Sequence, residues 1–443
     1  MIILTLSEAI KTRLHSIMTI RELKRRVTFT LLMFLVARIG VQIAVPGINM
    51  ALFREFTNNP LAQFLDLFSG GAIQRASIFS LGITPMINAS IVFQLLGVLY
   101  PKFEEMQREG GKQREKITQW TRYLAIAISV VQSVGIAFLL QSQNIVIEPG
   151  LSFVISTAAL MTGGAAFLMW IAERISIKGI GNGTSMLIFL NIVSNLPNVG
   201  FNMVNALKNS LRGDLMLSLS LLLFIFIIVV MVIIQLGERR VSIQYVGKSS
   251  RGFGQGVSTV GKKTFLPVKI NTAGVMPIIF ASMLMAVPGL IITLIKDPAK
   301  RAYWNSLLGQ TGWLYLLISA FLIIVFSFFY TAIVFDPDKI ADSLKQTGGT
   351  IPNTRAGKET ADYLEYIVTT ITYGTAVFLA ILGILPNIWF GYVIGMPVLI
   401  GGTSLIILVG VAVELLQQID SHLAVRTYRG FNNSQRRQRK IEM

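Results

Sequence analysis

The sequence is dominated by long runs of apolar residues that are too numerous for one soluble core. Of its 443 residues, 53% are hydrophobic and 14% are charged, whereas globular domains carry about 25% charged residues. Residues 221–236 (LLLFIFIIVVMVIIQL) form one uninterrupted run, without the alternation that a membrane β-strand would show. Because backbone groups in lipid must be satisfied within their own segment, the runs predict membrane-spanning helices.

The apolar runs predict an all-α polytopic membrane protein. A helix needs about 20 apolar residues to cross the hydrocarbon layer. Five runs precede the loop near residues 206–214 and five follow it, which predicts two five-helix halves that are inverted, because an odd number of spans reverses direction. The ten predicted transmembrane helices are 23–45, 76–100, 117–141, 151–175, 180–205, 215–236, 270–295, 311–335, 367–386 and 391–417.

The predicted organisation has four parts. A cytoplasmic amphipathic N-terminal helix covers residues 1–22, an N-terminal half 23–205, a C-terminal half 206–417, and a basic cytoplasmic tail 418–443. Helical spacing places four apolar residues near one face of the first part, which favours a helix lying on the membrane surface. These residues are Ile10, Leu14, Ile17 and Ile20.

The positive charge is concentrated between alternate spans. Lys and Arg number 39 against 22 Asp and Glu, and 31 of the 39 fall in the segments on the same side as both termini. Cytoplasmic loops attract Lys and Arg, so both termini are predicted to be cytoplasmic. On this side lie the long loops 237–270 and 336–366.

Neither catalytic nor cofactor chemistry is indicated by the sequence. The chain has no cysteine, and His15 and His422 both lie outside the predicted spans. The stretch GVSTVGKKT at residues 256–264 nearly matches a phosphate-binding loop, but Lys263 replaces the hydroxyl residue and no strand precedes it, so a flexible basic loop is favoured. We therefore expect no enzyme activity, cofactor or metal.

The residues alone leave two functions open, a secondary transporter and a passive scaffold. A secondary transporter for a small solute would need an ionisable or carbonyl-lined site near the middle of the membrane, and Arg38 is the one candidate within a span. A passive membrane scaffold would need no such site. Inverted halves and broken helices are compatible with the transporter.

One segment breaks the simple pattern of spans. Residues 61–81 (LAQFLDLFSGGAIQRASIFSL) are partly apolar but contain Asp66, Gly70, Gly71 and Arg75. They predict a short broken helix before the second span, and irregular backbone at membrane depth is tolerated only inside protein or beside a water-filled cavity. An external loop with a helical turn is the alternative.

Three stretches of the sequence are distinctive when taken together. They are FSGGAIQRASIFSLGITPMINASIVFQLL at 68–96, KGIGNGTSMLIFLNIVSNLP at 178–197 and LPVKINTAGVMPIIFASMLMAVP at 266–288. Together they resemble the SecY family of protein-export channels. Residues 328–360 and 401–414 add to the likeness, which covers nearly the whole chain in order. The resemblance implies a clamshell of two inverted halves around a central hourglass pore, with unfolded preproteins as substrate.

The resemblance also implies roles for particular residues. Branched apolar side chains make a constriction that water leaves and that rearranges around a passing chain. The implied pore ring comprises Ile83, Ile87, Ile192, Ile279 and Ile407, with Ile91 as a further member. The implied plug, at about 61–77, includes Phe64, Leu65, Phe68, Ser69, Gly70, Gly71 and Arg75.

A lateral gate is implied, with spans two and three on one side and spans seven and eight on the other. Its polar residues are Gln94, Gln132, Ser133 and Asn271, although such side chains equally serve to join neighbouring helices.

The resemblance further implies partners on the cytoplasmic side. The basic loops would dock a SecA-type motor ATPase and the ribosome, because acidic protein patches and ribosomal RNA both attract cations. SecE-like and SecG-like subunits, signal sequences, unfolded preproteins and membrane lipid complete the expected partners, in a bacterial cytoplasmic membrane. The docking residues would be Arg239, Arg240, Lys248, Arg251 and Arg355. Ordinary positive-inside loops explain this charge equally well, and Ala356 stands where the family often has proline.

Overall fold

The structure is a computed structural model that describes residues 20–57, 66, 69–100, 103, 106, 111–208, 213–245, 263–293, 297–309, 311–394 and 401–441. Contacts between residues divide the chain into two compact units. The first unit comprises Met1–Asn205 and Val411–Met443, and the second comprises Ala206–Gly410. Both are built mainly of helices, in which each apolar segment satisfies its own backbone groups.

Six helices lie in the N-terminal part of the described chain. They are α1 (Arg21–Gly40), α2 (Met50–Thr57), α3 (Thr84–Leu99), α4 (Gly111–Ser142), α5 (Leu151–Lys178) and α6 (Gly183–Lys208). Helix α4 packs against α3 and α5, and α1 packs against α5. A buried cluster joins the segment after α1, the turns before α3 and the facing ends of α4 and α5. It includes Val45, Ile48, Ala76, Leu81, Leu140 and Phe153.

The rest of the described chain forms seven further helices and a short π-helix. They are α7 (Gly213–Leu236), α8 (Met276–Thr293), α9 (Pro298–Leu308), α10 (Trp313–Val334), α11 (Pro337–Thr347), α12 (Lys358–Ile388), the π-helix Trp389–Ile394 and α13 (Gly402–Ile441). Helix α10 packs against α8 and α12. Helix α11 has clear end signals: the side chain of Asp336 accepts a hydrogen bond from the Lys339 amide, and Gly348 ends the helix at φ 73°.

A small antiparallel sheet lies where the sequence predicts only loops, at residues 237–270 and 336–366. Strands β1 (Glu238–Tyr245), β2 (Lys263–Lys269) and β3 (Gly349–Thr350) pair in the order β2–β1–β3. The strands bury apolar side chains against α11 and α12, so the sheet has its own core. Its buried members are Val241, Ile243, Val268, Leu344, Ile351, Leu364, Ile367 and Val368.

Each of the ten predicted spans overlaps a helix of the structure. Among the described residues, six helices are long and apolar enough to cross a membrane, and two more are apolar but shorter. The six are Glu115–Ser142, Leu151–Lys178, Leu215–Leu236, Trp313–Thr347, Lys358–Ile394 and Gly402–Ser421, and the two are Thr84–Leu99 and Met276–Met285. The remaining two spans correspond to α1, which begins with a basic cluster, and α6, which carries several Asn residues.

Two predicted span boundaries are wrong. The second span was placed at 76–100, but α3 begins at Thr84 and residues 70–83 form turns. The tenth was placed at 391–417, but α13 begins at Gly402 and residues 389–394 continue the preceding helix as a π-helix. In both cases apolar composition does not register where a helix is interrupted. Before α3, the interruption includes Gly82, which adopts a positive φ angle.

Two further predictions fall largely outside the described residues. The amphipathic helix at 1–22 lies almost wholly within residues 1–19, and α1 begins at Arg21. Of the GVSTVGKKT stretch, Lys263 and Thr264 are described, and they open β2.

Candidate functional site

Four of the six isoleucines assigned to a ring lie in the first unit. Ile83 is the N-cap of α3, and the amide of Ile87 donates a hydrogen bond to its carbonyl at 3.2 Å. Ile83, Ile87 and Ile91 are four residues apart and therefore follow one another along one face of the helix. Ile83 and Ile87 are buried, Ile91 is half-buried, and Ile192 on α6 is buried.

The other two isoleucines lie in the second unit. Ile279 is in the first turn of α8 and Ile407 is in the first two turns of α13. Their exposed fractions are 1% and 0%. None of these side chains bears a polar atom, so a role at these positions must be steric and hydrophobic.

Part of the predicted plug has a compact internal structure. The Asp66 side chain is fully buried, and its Oδ1 atom accepts hydrogen bonds from Ser69 Oγ (2.9 Å), the Ile73 amide (2.9 Å) and the Gln74 amide (3.3 Å). The Asp66 carbonyl also accepts from the amide of Gly70 at 2.8 Å. Ser69, Gly70, Gly71 and Arg75 belong to this segment, whereas Phe64, Leu65 and Phe68 lie outside the described residues.

Two helices hold this segment through its backbone carbonyls. Arg38, in the last turn of α1, donates from Nη1 to the Gly70 carbonyl at 2.6 Å. Asn195 on α6 donates from Nδ2 to the Asp66 carbonyl at 3.3 Å. The sequence did not predict either contact, because each joins residues that are distant along the chain. The available signal was a single cation near the end of the otherwise apolar α1 and a series of asparagines along α6.

The residues assigned to a lateral gate make contacts that also join neighbouring helices. Ser133 is buried on α4, and its Oγ lies 3.2 Å from Thr162 Oγ1 on α5. Asn271 is buried before α8 and donates to Gln235 Oε1 on α7 at 2.8 Å. Gln132 and Gln94 are half-buried, and the buried Oε1 atom of Gln94 has no hydrogen-bond partner within the described chain.

Three of the five basic docking residues are described, and all belong to one folded element. Arg239 and Arg240 are exposed on β1, opposite Val268 and Pro267 of β2. Arg355 is exposed between β3 and α12, and its amide donates to Glu359 Oε2 at 3.1 Å. Lys248 and Arg251 lie outside the described residues.

The arrangements described above are apolar packing contacts and hydrogen bonds. Across the described ranges, no three His, Asp or Glu side chains are grouped so that they could hold a metal ion. Arg38, the cation within α1, donates a hydrogen bond to a backbone carbonyl of its own chain.

Comparison with known sequences gives a consistent family assignment. Residues 77–416 match the SecY family model. The SecY subunit of the protein translocase from Aquifex aeolicus is 38% identical over 94% of this chain and 98% of its own length. The corresponding subunit from Thermotoga maritima is 37% identical over 93% and 95%, and that from Mycobacterium tuberculosis is 36% identical over 93% and 97%.

Comparison with solved structures agrees on the fold. A SecY protein whose plug domain stabilises the closed state of the translocation channel matches with a TM-score of 0.63, at 17% identity over 89% of this chain and 91% of that one. A protein-conducting channel matches with a TM-score of 0.59, and Sec61 from the canine ribosome–channel complex with 0.55, at the same identity and coverage. The helical architecture is therefore that of the ten-helix translocation channels. Sequence and fold together show that this multi-pass membrane protein belongs to the SecY family.

Proposed function

We propose that this chain is the protein-conducting channel of a translocase, which passes unfolded preproteins across a membrane and releases hydrophobic segments laterally into it. The observation that carries this proposal is the 38% identity to a translocase subunit over nearly the full length of both chains. The chain is a channel subunit and not an enzyme. Energy for transport must therefore come from a partner or from synthesis of the substrate.

The pore ring is proposed to consist of Ile83, Ile87, Ile91, Ile192, Ile279 and Ile407. Five of these side chains are buried and the sixth is half-buried. An isoleucine constriction would exclude water and ions when closed, and it would yield to a passing chain without having to break hydrogen bonds.

The plug is proposed to include the compact segment around Asp66 and Gly70. Its internal hydrogen bonds to the Asp66 carboxylate support movement of the segment as one body. A signal segment opens the lateral gate in this account by binding the open state more tightly than the closed one. Gln94, Gln132, Ser133 and Asn271 remain the proposed gate residues, with interhelical hydrogen bonds worth about 0.6–2 kcal/mol each.

The basic element around β1 is proposed as the docking surface. Arg239, Arg240 and Arg355 are exposed on an element with its own core, which supports a rigid display of charge. Lys248 and Arg251 would extend it. Its proposed partners are a SecA-type motor ATPase and the ribosome, alongside SecE-like and SecG-like subunits that complete the complex. We propose a bacterial cytoplasmic membrane as its location. Both termini are proposed to be cytoplasmic, because 31 of its 39 Lys and Arg fall in the predicted segments on the side of the termini.

A reconstitution experiment tests the function. The purified complex, in vesicles with a SecA-type motor and ATP, should import a preprotein that bears a signal sequence and protect it from protease. A preprotein without a signal sequence should remain accessible. If a competent motor drives no import through this complex, while it does so through a known translocase in parallel vesicles, the proposed function is wrong.

A further inference from the structure

The contact between Arg38 and the plug segment is unusual for a residue inside an apolar helix. A cation in such a position is costly unless it is partnered, and arginine stays charged in proteins. Its Nη1 atom meets this need by donating to the Gly70 carbonyl at 2.6 Å. The guanidinium therefore fixes the end of α1 to the backbone of the segment.

Helix α6 approaches the same segment from a second direction. Asn195 is 7% exposed and donates to the Asp66 carbonyl. Asn191, one helical turn earlier, lies so close to Gly70 that a Cβ added there would be 2.6 Å from its Oδ1 atom. The same added Cβ would be 2.9 Å from Arg38 Nη1. Side chains from both α1 and α6 therefore lie against Gly70.

The two contacted carbonyls belong to one folded piece. Asp66 and Gly70 are joined by a backbone hydrogen bond, and the Asp66 carboxylate binds the amides of Ile73 and Gln74. Restraint at either carbonyl therefore restrains Asp66 together with residues 69–74.

We propose that Arg38, Asn191 and Asn195 form a latch that holds the plug in its resting position and couples its release to α6. The proposal rests on the proposed function, since it takes the segment as the plug. Ile192, a proposed ring residue, lies between the two asparagines on α6. A displacement of α6 that widens the ring therefore withdraws Asn191 and Asn195 from the plug, and constriction and plug open together.

The latch makes a quantitative prediction for the resting channel. Loss of one membrane hydrogen bond shifts an equilibrium by roughly 3- to 30-fold. Arg38→Gln and Asn195→Ala should raise the ion conductance of the resting complex in planar bilayers by such a factor. Arg38→Lys keeps a charged donor and should restore part of the seal. Two exposed residues on the same helices provide matched controls, Arg25→Gln on α1 and Asn198→Ala on α6, and both should conduct like the parent.

A second readout reports the plug itself. Ala72 is fully buried next to the latched carbonyls, and the parent chain has no cysteine. In an Ala72→Cys background, Arg38→Gln and Asn195→Ala should speed labelling by a membrane-impermeant maleimide, and the control variants should not. Both latch variants could show the parent's ion conductance and labelling rate while still importing preprotein. That result would overturn the latch and leave the proposed channel function intact. If the parent complex imports no preprotein, the proposed function itself is wrong, and the latch, which rests on it, is wrong as well.

Discussion

At the scale of single residues, alanine substitutions at Gly70 and Gly71 distinguish the effect of steric crowding from the effect of backbone strain. Both have positive φ, at 70° and 88°, so alanine at either position costs roughly 1–2 kcal/mol in backbone conformation. Only at Gly70 would the new Cβ meet Asn191 and Arg38, because nothing lies within 4 Å at Gly71. Gly70→Ala should therefore raise the resting ion conductance well above that of Gly71→Ala. Equal conductance of the two variants would show that the contacts around Gly70 do not seat the plug.

The same residues mark what the sequence could and could not reveal. A glycine pair in an apolar context predicted a broken segment, and the turns at residues 70–83 confirm a break in the helix. The partners of Gly70 could not be predicted, because Arg38 is 32 positions away and Asn195 is on a helix much later in the chain. Arg38 appeared only as a candidate for solute coupling. Its hydrogen bond to the plug segment gives the charge a partner within the chain.

At the scale of elements, the small sheet should depend on its apolar face. Ile243 is 3% exposed in the sheet core, whereas Gln244, its neighbour on β1, is exposed. Ile243→Ala should destabilise the element by roughly 2–5 kcal/mol through lost burial and a cavity. Limited proteolysis of the 237–270 region should then become faster, while Gln244→Ala stays at the parent rate. A parental cleavage rate for Ile243→Ala would show that this core does not hold the sheet.

The sheet also shows why element prediction failed at 237–270. Val241, Ile243 and Tyr245 alternate with polar residues, which is the period of a strand half-buried on one face. This alternation spans only a few residues and is therefore inconspicuous beside the long apolar runs. The partner strand β2 is less readable, since Pro267 cannot donate to a ladder and argues against a strand. By contrast, the ten spans were predictable because each needs a long apolar run, although the starts of α3 and α13 were not.

At the scale of the whole molecule, the excess of Lys and Arg on the predicted cytoplasmic side should govern the binding of ribosomes. Reversal of two exposed cations, Arg239→Glu with Arg240→Glu, should weaken binding of ribosomes to the purified complex and reduce the dependence of binding on salt. Lys300→Glu is a matched control for either single reversal, because its side chain is 75% exposed on α9, in a segment predicted to face the opposite side. Sedimentation of the complex with ribosomes at low and high salt measures both effects. Equal loss from the control variant would indicate a response to net charge rather than a docking surface.

Passage of a polypeptide through the isoleucine ring can be tested by a cross-link between the ring and the preprotein. In this cysteine-free chain, Ile87→Cys can be paired with a single cysteine in a preprotein stalled during import. We expect a disulfide to form at Ile87 only when the preprotein carries a signal sequence. Leu222→Cys, at a residue 66% exposed on α7, should form none. Absence of the Ile87 cross-link in complexes that stall preprotein, or equal cross-linking at Leu222, would contradict the account.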